Sequence, residues 1–105
     1  MKTILKGKMP QLNATMIVYA QDGTELHFPS DNKSLQIGDL LLLEKENHIP
    51  ADTKILTGEI KAQNESGEMK VFGPKDIAIG GWFIVEGLAK GYVFAKAEDS
   101  LLAIM

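Results

Sequence analysis

Leu35-Gln36-Ile37-Gly38-Asp39-Leu40-Leu41-Leu42-Leu43-Glu44, then Lys45-Glu46-Asn47-His48, then Ile49-Pro50-Ala51-Asp52-Thr53-Lys54-Ile55-Leu56, is the stretch that decides the fold. Leu40 to Leu43 is a short continuous apolar run, the pattern of a strand covered on both faces. Lys45 to His48 is a polar turn. Pro50 has no amide hydrogen to give to a ladder, so Ile49 to Asp52 belongs at a strand edge or a bend. Thr53 to Leu56 resumes strand character, and Gly58 is expected to end it. Asp39 and Asp52 read as turn carboxylates that accept backbone hydrogen bonds.

Outward from this stretch the same alternation of strand and turn continues. Met1 to Lys8 is a lysine-rich lead with helical character, interrupted by Pro10. Ala14 to Tyr19 is β-branched and aromatic, Asp22-Gly23 supplies a hairpin turn, and Glu25 to Phe28 returns. Downstream, Asn64 to Glu68 is a polar loop, Met69 to Phe72 a short strand and Gly73 to Asp76 a turn. Ile77 to Val85 and Gly91 to Ala97 are expected as two more strands linked through Glu86-Gly87. Glu98-Asp99-Ser100 has the composition of a helix N-cap. The fold class is therefore all-β, a small distorted barrel or sandwich-like domain with short helical segments at its termini. Residues 1–105 form a single domain, with a lead over 1–9 and the start of an exit helix over 98–105.

Composition narrows the function classes. The chain has no cysteine, which excludes disulfides and thiolate metal sites. Its net charge is −3, and its basic side chains are all lysine. No basic face or arginine fork for nucleic acid is expected, and no arginine finger for phosphoryl transfer. No apolar run approaches the roughly 20 residues that cross a membrane, so a soluble, cytoplasmic domain without direct membrane insertion is expected. His27 and His48 have no second ligand at metal spacing, and the glycine pairs are not followed by the Lys-Ser/Thr of a phosphate loop. No metal and no cofactor are expected in this chain. Trp82 reads as half core and half surface, a partner contact if it proves exposed.

Several segments together resemble the actuator domain of P-type ATPases, the ion and lipid pumps. Met9-Pro10 through Val18 is similar to that family's opening, and Asp22-Gly23 sits at its first hairpin turn. Ile37-Gly38-Asp39-Leu40 resembles its Val-Pro-Gly-Asp-Ile/Leu segment, and Ile49-Pro50-Ala51-Asp52 is the most specific match. Gly73-Pro74-Lys75-Asp76 resembles its Pro-Gly-Asp turn, and Gly80-Gly81 and Glu86-Gly87 the glycines of its last hairpin. Ala97 to Ile104 resembles its exit segment. The order and spacing of these pieces cover most of the chain.

The resemblance implies a role. An actuator domain rotates as a rigid body, draws on the membrane helices at its two ends, and carries a Thr-Gly-Glu-Ser loop. The Glu of that loop positions the water that hydrolyses an aspartyl phosphate held by the phosphorylation domain. Two places compete for the role here. Thr57-Gly58-Glu59 is a literal Thr-Gly-Glu but follows Asp52 too closely, and Glu59 reads as a solvated loop carboxylate. Gly67-Glu68 follows Asn64-Glu65-Ser66, which resembles the family's lead-in, so the register favours Glu68 with Gly67 as the candidate catalytic pair. The Thr is absent, Met69 stands at the Ser position, and the loop is shortened. A misplacement of about 1 Å can lower a rate about a hundredfold.

Two functions follow. One is an actuator domain of a P-type cation-transporting ATPase, not an enzyme on its own, partnered by the phosphorylation domain and membrane helices. The other is a stand-alone binding or regulatory module that keeps the fold, with a protein partner at a surface such as that around Trp82.

Overall fold

The computed structural model describes residues 12–95. The β-branched run after Leu12 and the alternating run after Thr24 become β1 (Asn13–Tyr19) and β2 (Glu25–Asp31). The turn between them closes with Gly23 N–H on Ala20 O at 2.9 Å and Thr24 N–H on the Asp22 carboxylate at 2.9 Å. The base of this hairpin is fastened by Asn32, whose N–H donates to Leu12 O and whose Oδ1 accepts Leu12 N–H, both at 2.9 Å. The leucine run forms β3 (Leu40–Glu44). Then follow β4 (Asp52–Gln63), β5 (Met69–Phe72), β6 (Ile77–Ala78) and β7 (Phe83–Ala95). All pairings are antiparallel, in the order β2-β1-β3-β7-β4-β5, with β6 also on β4. No helix occurs among the described residues, and the expected segments over 1–9 and 98–105 lie outside them.

The two longest strands differ from expectation. Gly58 does not end a strand; it lies inside β4, which runs on to Gln63. Glu86-Gly87 does not link two strands; it lies inside β7. Register shifts between Asp52/Thr53, Ile55/Thr57 and Lys61/Ala62 let β4 and β7 coil about each other, absorbing the extra residues as bulges. Ile77 to Val85 is not one strand either. It stops after Ala78, and Gly80-Gly81 turns back over the Ile49–Asp52 bend, with Gly81 N–H on Ile49 O at 2.7 Å and Ile49 N–H on Trp82 O at 2.8 Å.

One face of the sheet and the loops folded over it enclose the core. Leu41, Leu43, Ile55, Ile60, Ile84 and Val93 are each at most 1% exposed there. Ladder alternation turns Leu40 and Leu42 to the opposite face, half-buried rather than covered. Trp82 is 8% exposed and meets the Phe72 ring edge-on at 5.8 Å. It is a core side chain rather than half surface, and offers no partner surface centred on it.

Candidate functional site

The Asp-containing bends behave as their residue types require. Asp52 is fully buried, and its Oδ1 accepts the Gly80 N–H at 2.8 Å. Asp39 Oδ2 accepts Gln36 N–H at 2.8 Å, and Asp76 Oδ2 accepts Gly73 N–H at 2.8 Å. Asp52 ties the Gly80 turn to the start of β4, Asp39 and Asp76 close their own turns, and Pro50 precedes the strand it cannot join. The motif at Ile49–Asp52 is thus an architectural joint between the start of β4 and the turn before β7.

Thr57-Gly58-Glu59 lies in the middle of the sheet. Gly58 has φ +85°, and a Cβ there would run into the Leu88 carbonyl and come within 2.8 Å of Ala89 Cα. The glycine therefore serves the close pairing of β4 with β7. Glu59 is exposed on β4 opposite Leu88, not on a loop. It borders an open groove of about 210 Å³ with Ile60, Lys61, Val71, Glu86 and Gly87.

Glu68 and Gly67 sit at the other candidate place, the connection from β4 to β5, whose ladder begins at Gln63↔Met69. Asn64 N–H donates to Glu68 O and Gly67 N–H to Asn64 O, both at 3.0 Å. Gly67 takes φ +87°, with only the Gln63 amide within 4 Å of a Cβ placed there, at 3.7 Å. Its glycine is needed for the turn rather than for close approach. The Asn64 side chain clasps Glu68 twice: Oδ1 accepts the Glu68 N–H at 2.9 Å and Nδ2 donates to Oε1 at 3.3 Å. The turn is tight, exposed, and at the tip of a hairpin. Asn64→Ala is expected to cost about 0.5–1 kcal/mol, read from urea unfolding, because the turn loses both side-chain bonds while water replaces them readily.

Sequence reasoning missed a charged cluster on the opposite face from the core. Glu25 Oε2 lies 2.7 Å from His27 Nε2, and Lys90 Nζ donates to Glu25 Oε1 at 2.5 Å. The hydrogen bonds of His27 and then Lys90 hold the Glu25 carboxyl below its ordinary value, and the Glu25 bond raises Lys90. Glu25 and Lys90 are 65 positions apart, so no local pattern announces the pair. His48 meets the Phe83 ring edge-on at 5.2 Å. Among the described residues, no group of three or more His, Cys, Asp or Glu is placed to hold a metal ion.

An all-antiparallel coiled sheet with Gly-Asp and Pro-Ala-Asp bends as its joints matches the actuator fold. The family model of the P-type ATPase actuator domain matches residues 11–105, and the chain belongs to that family. Two solved structures are similar in fold. One is a zinc-transporting PIB-type ATPase in its E2.Pi state, with a TM-score of 0.66 and 20% identity over 93% of this chain and 16% of that one. The other is a zinc-transporting PIB-type ATPase in a different state, with a TM-score of 0.64 and 22% identity over 94% of this chain and 16% of that one. This chain thus spans about one-sixth of the length of those pumps. No curated protein sequence matches it significantly. No helix among the described residues is long and apolar enough to cross a membrane.

Proposed function

We propose that this domain is the moving, coupling part of a P-type cation-transporting ATPase, working at the cytoplasmic face of a membrane. Its Asn64–Met69 connection is a shortened form of the dephosphorylation loop, and Glu68 is the counterpart of the hydrolytic carboxylate. In this reading the domain transmits rotation between the phosphorylation domain and membrane helices but aims no water at an aspartyl phosphate.

The observation that supports it is the Asn64–Glu68 turn. A hydrolytic carboxylate must extend away from its own loop into a partner's site. Glu68 instead stands at the end of a tight turn closed by Asn64 N–H on Glu68 O, with its own N–H on Asn64 Oδ1 and one carboxylate oxygen on Asn64 Nδ2 at 3.3 Å, so the side chain lies beside its own turn. The test is a graft of this domain into a zinc-transporting PIB-type ATPase that still forms its phosphoenzyme. Phosphoenzyme decay is expected to be slow, by about a hundredfold or more, and equally slow with Glu68→Gln. Fast decay that Glu68→Gln abolishes would restore Glu68 as a working catalytic residue.

The same turn also favours a second reading, a non-catalytic binding or regulatory module that keeps the actuator fold. A reading frame that continues into membrane helices and an Asp-Lys-Thr-Gly-Thr phosphorylation segment decides for the pump; stop codons at both ends decide for the module.

A further inference from the structure

We propose that the β1–β2 hairpin is a hinged arm and that Glu25 and Lys90 form the strap that holds it against the sheet. The hinge is the seam between β1 and β3, which share a single ladder pair, Met16↔Leu41. By contrast β1 and β2 pair over all seven positions, so the hairpin is itself a stiff unit. Its base is fixed by the paired bonds of Asn32 to Leu12. Its free end carries Glu25, which forms the last ladder pair with Tyr19.

Lys90 is on β7, which β1 and β3 separate from β2 in the sheet order. Three strand spacings amount to roughly 14 Å in a flat sheet. The 2.5 Å contact bridges that gap across the face away from the core, through two long side chains and the twist of the sheet. The burial of Ile17 agrees with this. Ile17 is 4% exposed yet does not belong to the core cluster. Ladder alternation places it on the strap's face with Leu40 and Tyr92, and release of the arm bares it.

The titratable groups around the strap come from every neighbouring strand. His27 shares the Glu25 carboxylate and Tyr19 lies across from Glu25. The registers put Glu44 of β3, and Lys54 and Glu59 of β4, on the same face, a row away from Lys90. Glu25 is held below its ordinary 4.5 by its partners, so its share of the strap is complete above that value and is lost as pH falls through the lowered one. Lys90 is raised above its ordinary 10.5, so its share is complete below that value and is lost as pH climbs past the raised one. The strap therefore holds through the neutral range and opens at both extremes. Salt screens it at any pH, because both partners are partly exposed.

Hydrogen exchange on the whole chain tests the device. Lys90→Met and Glu25→Gln are each expected to speed exchange of β1 and β2 amides about two- to fivefold, the range an exposed ion pair commands. Amides of β4 and β7 should not change. The charge-swapped double variant, Glu25→Lys with Lys90→Glu, should return the hairpin toward its original protection. Unchanged hairpin exchange in both single variants would overturn the strap. So would an equal rise across β4 and β7, which marks a general loss of stability instead of a hinge, or a double variant no better than the singles. The readout does not depend on the pump reading: a working Glu68 would leave it untouched.

Discussion

Gly58→Ala is expected to destabilise the domain by about 3–5 kcal/mol, among the largest effects of any single substitution. The left-handed backbone alone accounts for about 1–2 kcal/mol when a Cβ is added. The remainder arises because that Cβ would strike the Leu88 carbonyl and approach Ala89 Cα to 2.8 Å, both backbone atoms in the paired centre of the sheet. Neither can move without breaking the β4–β7 ladder. Gly23→Ala is the internal control, since it shares a positive φ of +90° but has nothing within 4 Å of the new Cβ. It should lose only the backbone share, about 1–2 kcal/mol. Urea unfolding of the two variants checks the contrast, and equal losses would show that the close approach at Gly58 relaxes freely.

Asp52→Ala is expected to cost about 3 kcal/mol, because the Gly80 N–H would be left in a buried site without its acceptor. The Asp52 bond to Gly80 spans 28 positions and holds the Gly80-Gly81 turn over the start of β4. A Cβ on Gly80 would lie 3.0 Å from Ala51 Cα, so the turn is seated too closely for water to replace the lost oxygen easily. Asp52→Asn keeps an oxygen for Gly80 and should lose less than half as much. If the two variants unfold at the same urea concentration, the charge of Asp52 matters more than its acceptor. Both substitutions act on the part of the chain most specific to the family, and both effects are on stability. The Ile49–Asp52 motif belongs to the fold, and Glu68 to the candidate chemistry.

Much of this was legible in the sequence because it depends on local rules. Pro50 cannot donate to a ladder, so a bend before β4 follows from one residue. Asp22-Gly23 dictates the first hairpin, and Asp39 and Asp76 act within their own turns. The boundaries of β4 and β7 were not legible. Gly58 and Glu86-Gly87 carry the composition of strand ends, yet Gly58 and Gly87 each sit where β4 and β7 pair so closely that a Cβ would collide with the neighbouring backbone. The burial of Trp82 is not legible for a similar reason: it packs on Phe72, brought beside it by the β5 pairing.

The candidate site divides along the same line. Its residues, Gly67 and Glu68, are named by the resemblance, because a lead-in similar to the family's stands next to them. That Asn64 bonds the Glu68 amide and one of its carboxylate oxygens required the turn to be closed in space. The Glu25–Lys90 contact required still more, since it joins strands that the sheet order keeps apart. By itself the sequence determined the all-β class, the bends and the family, because turn chemistry acts over a few residues. Only the tertiary structure decided which glycines lie in strands, which aromatic is core and where the hairpin arm rests. Those outcomes depend on distances between segments far apart in the chain, set by packing and not by any local propensity.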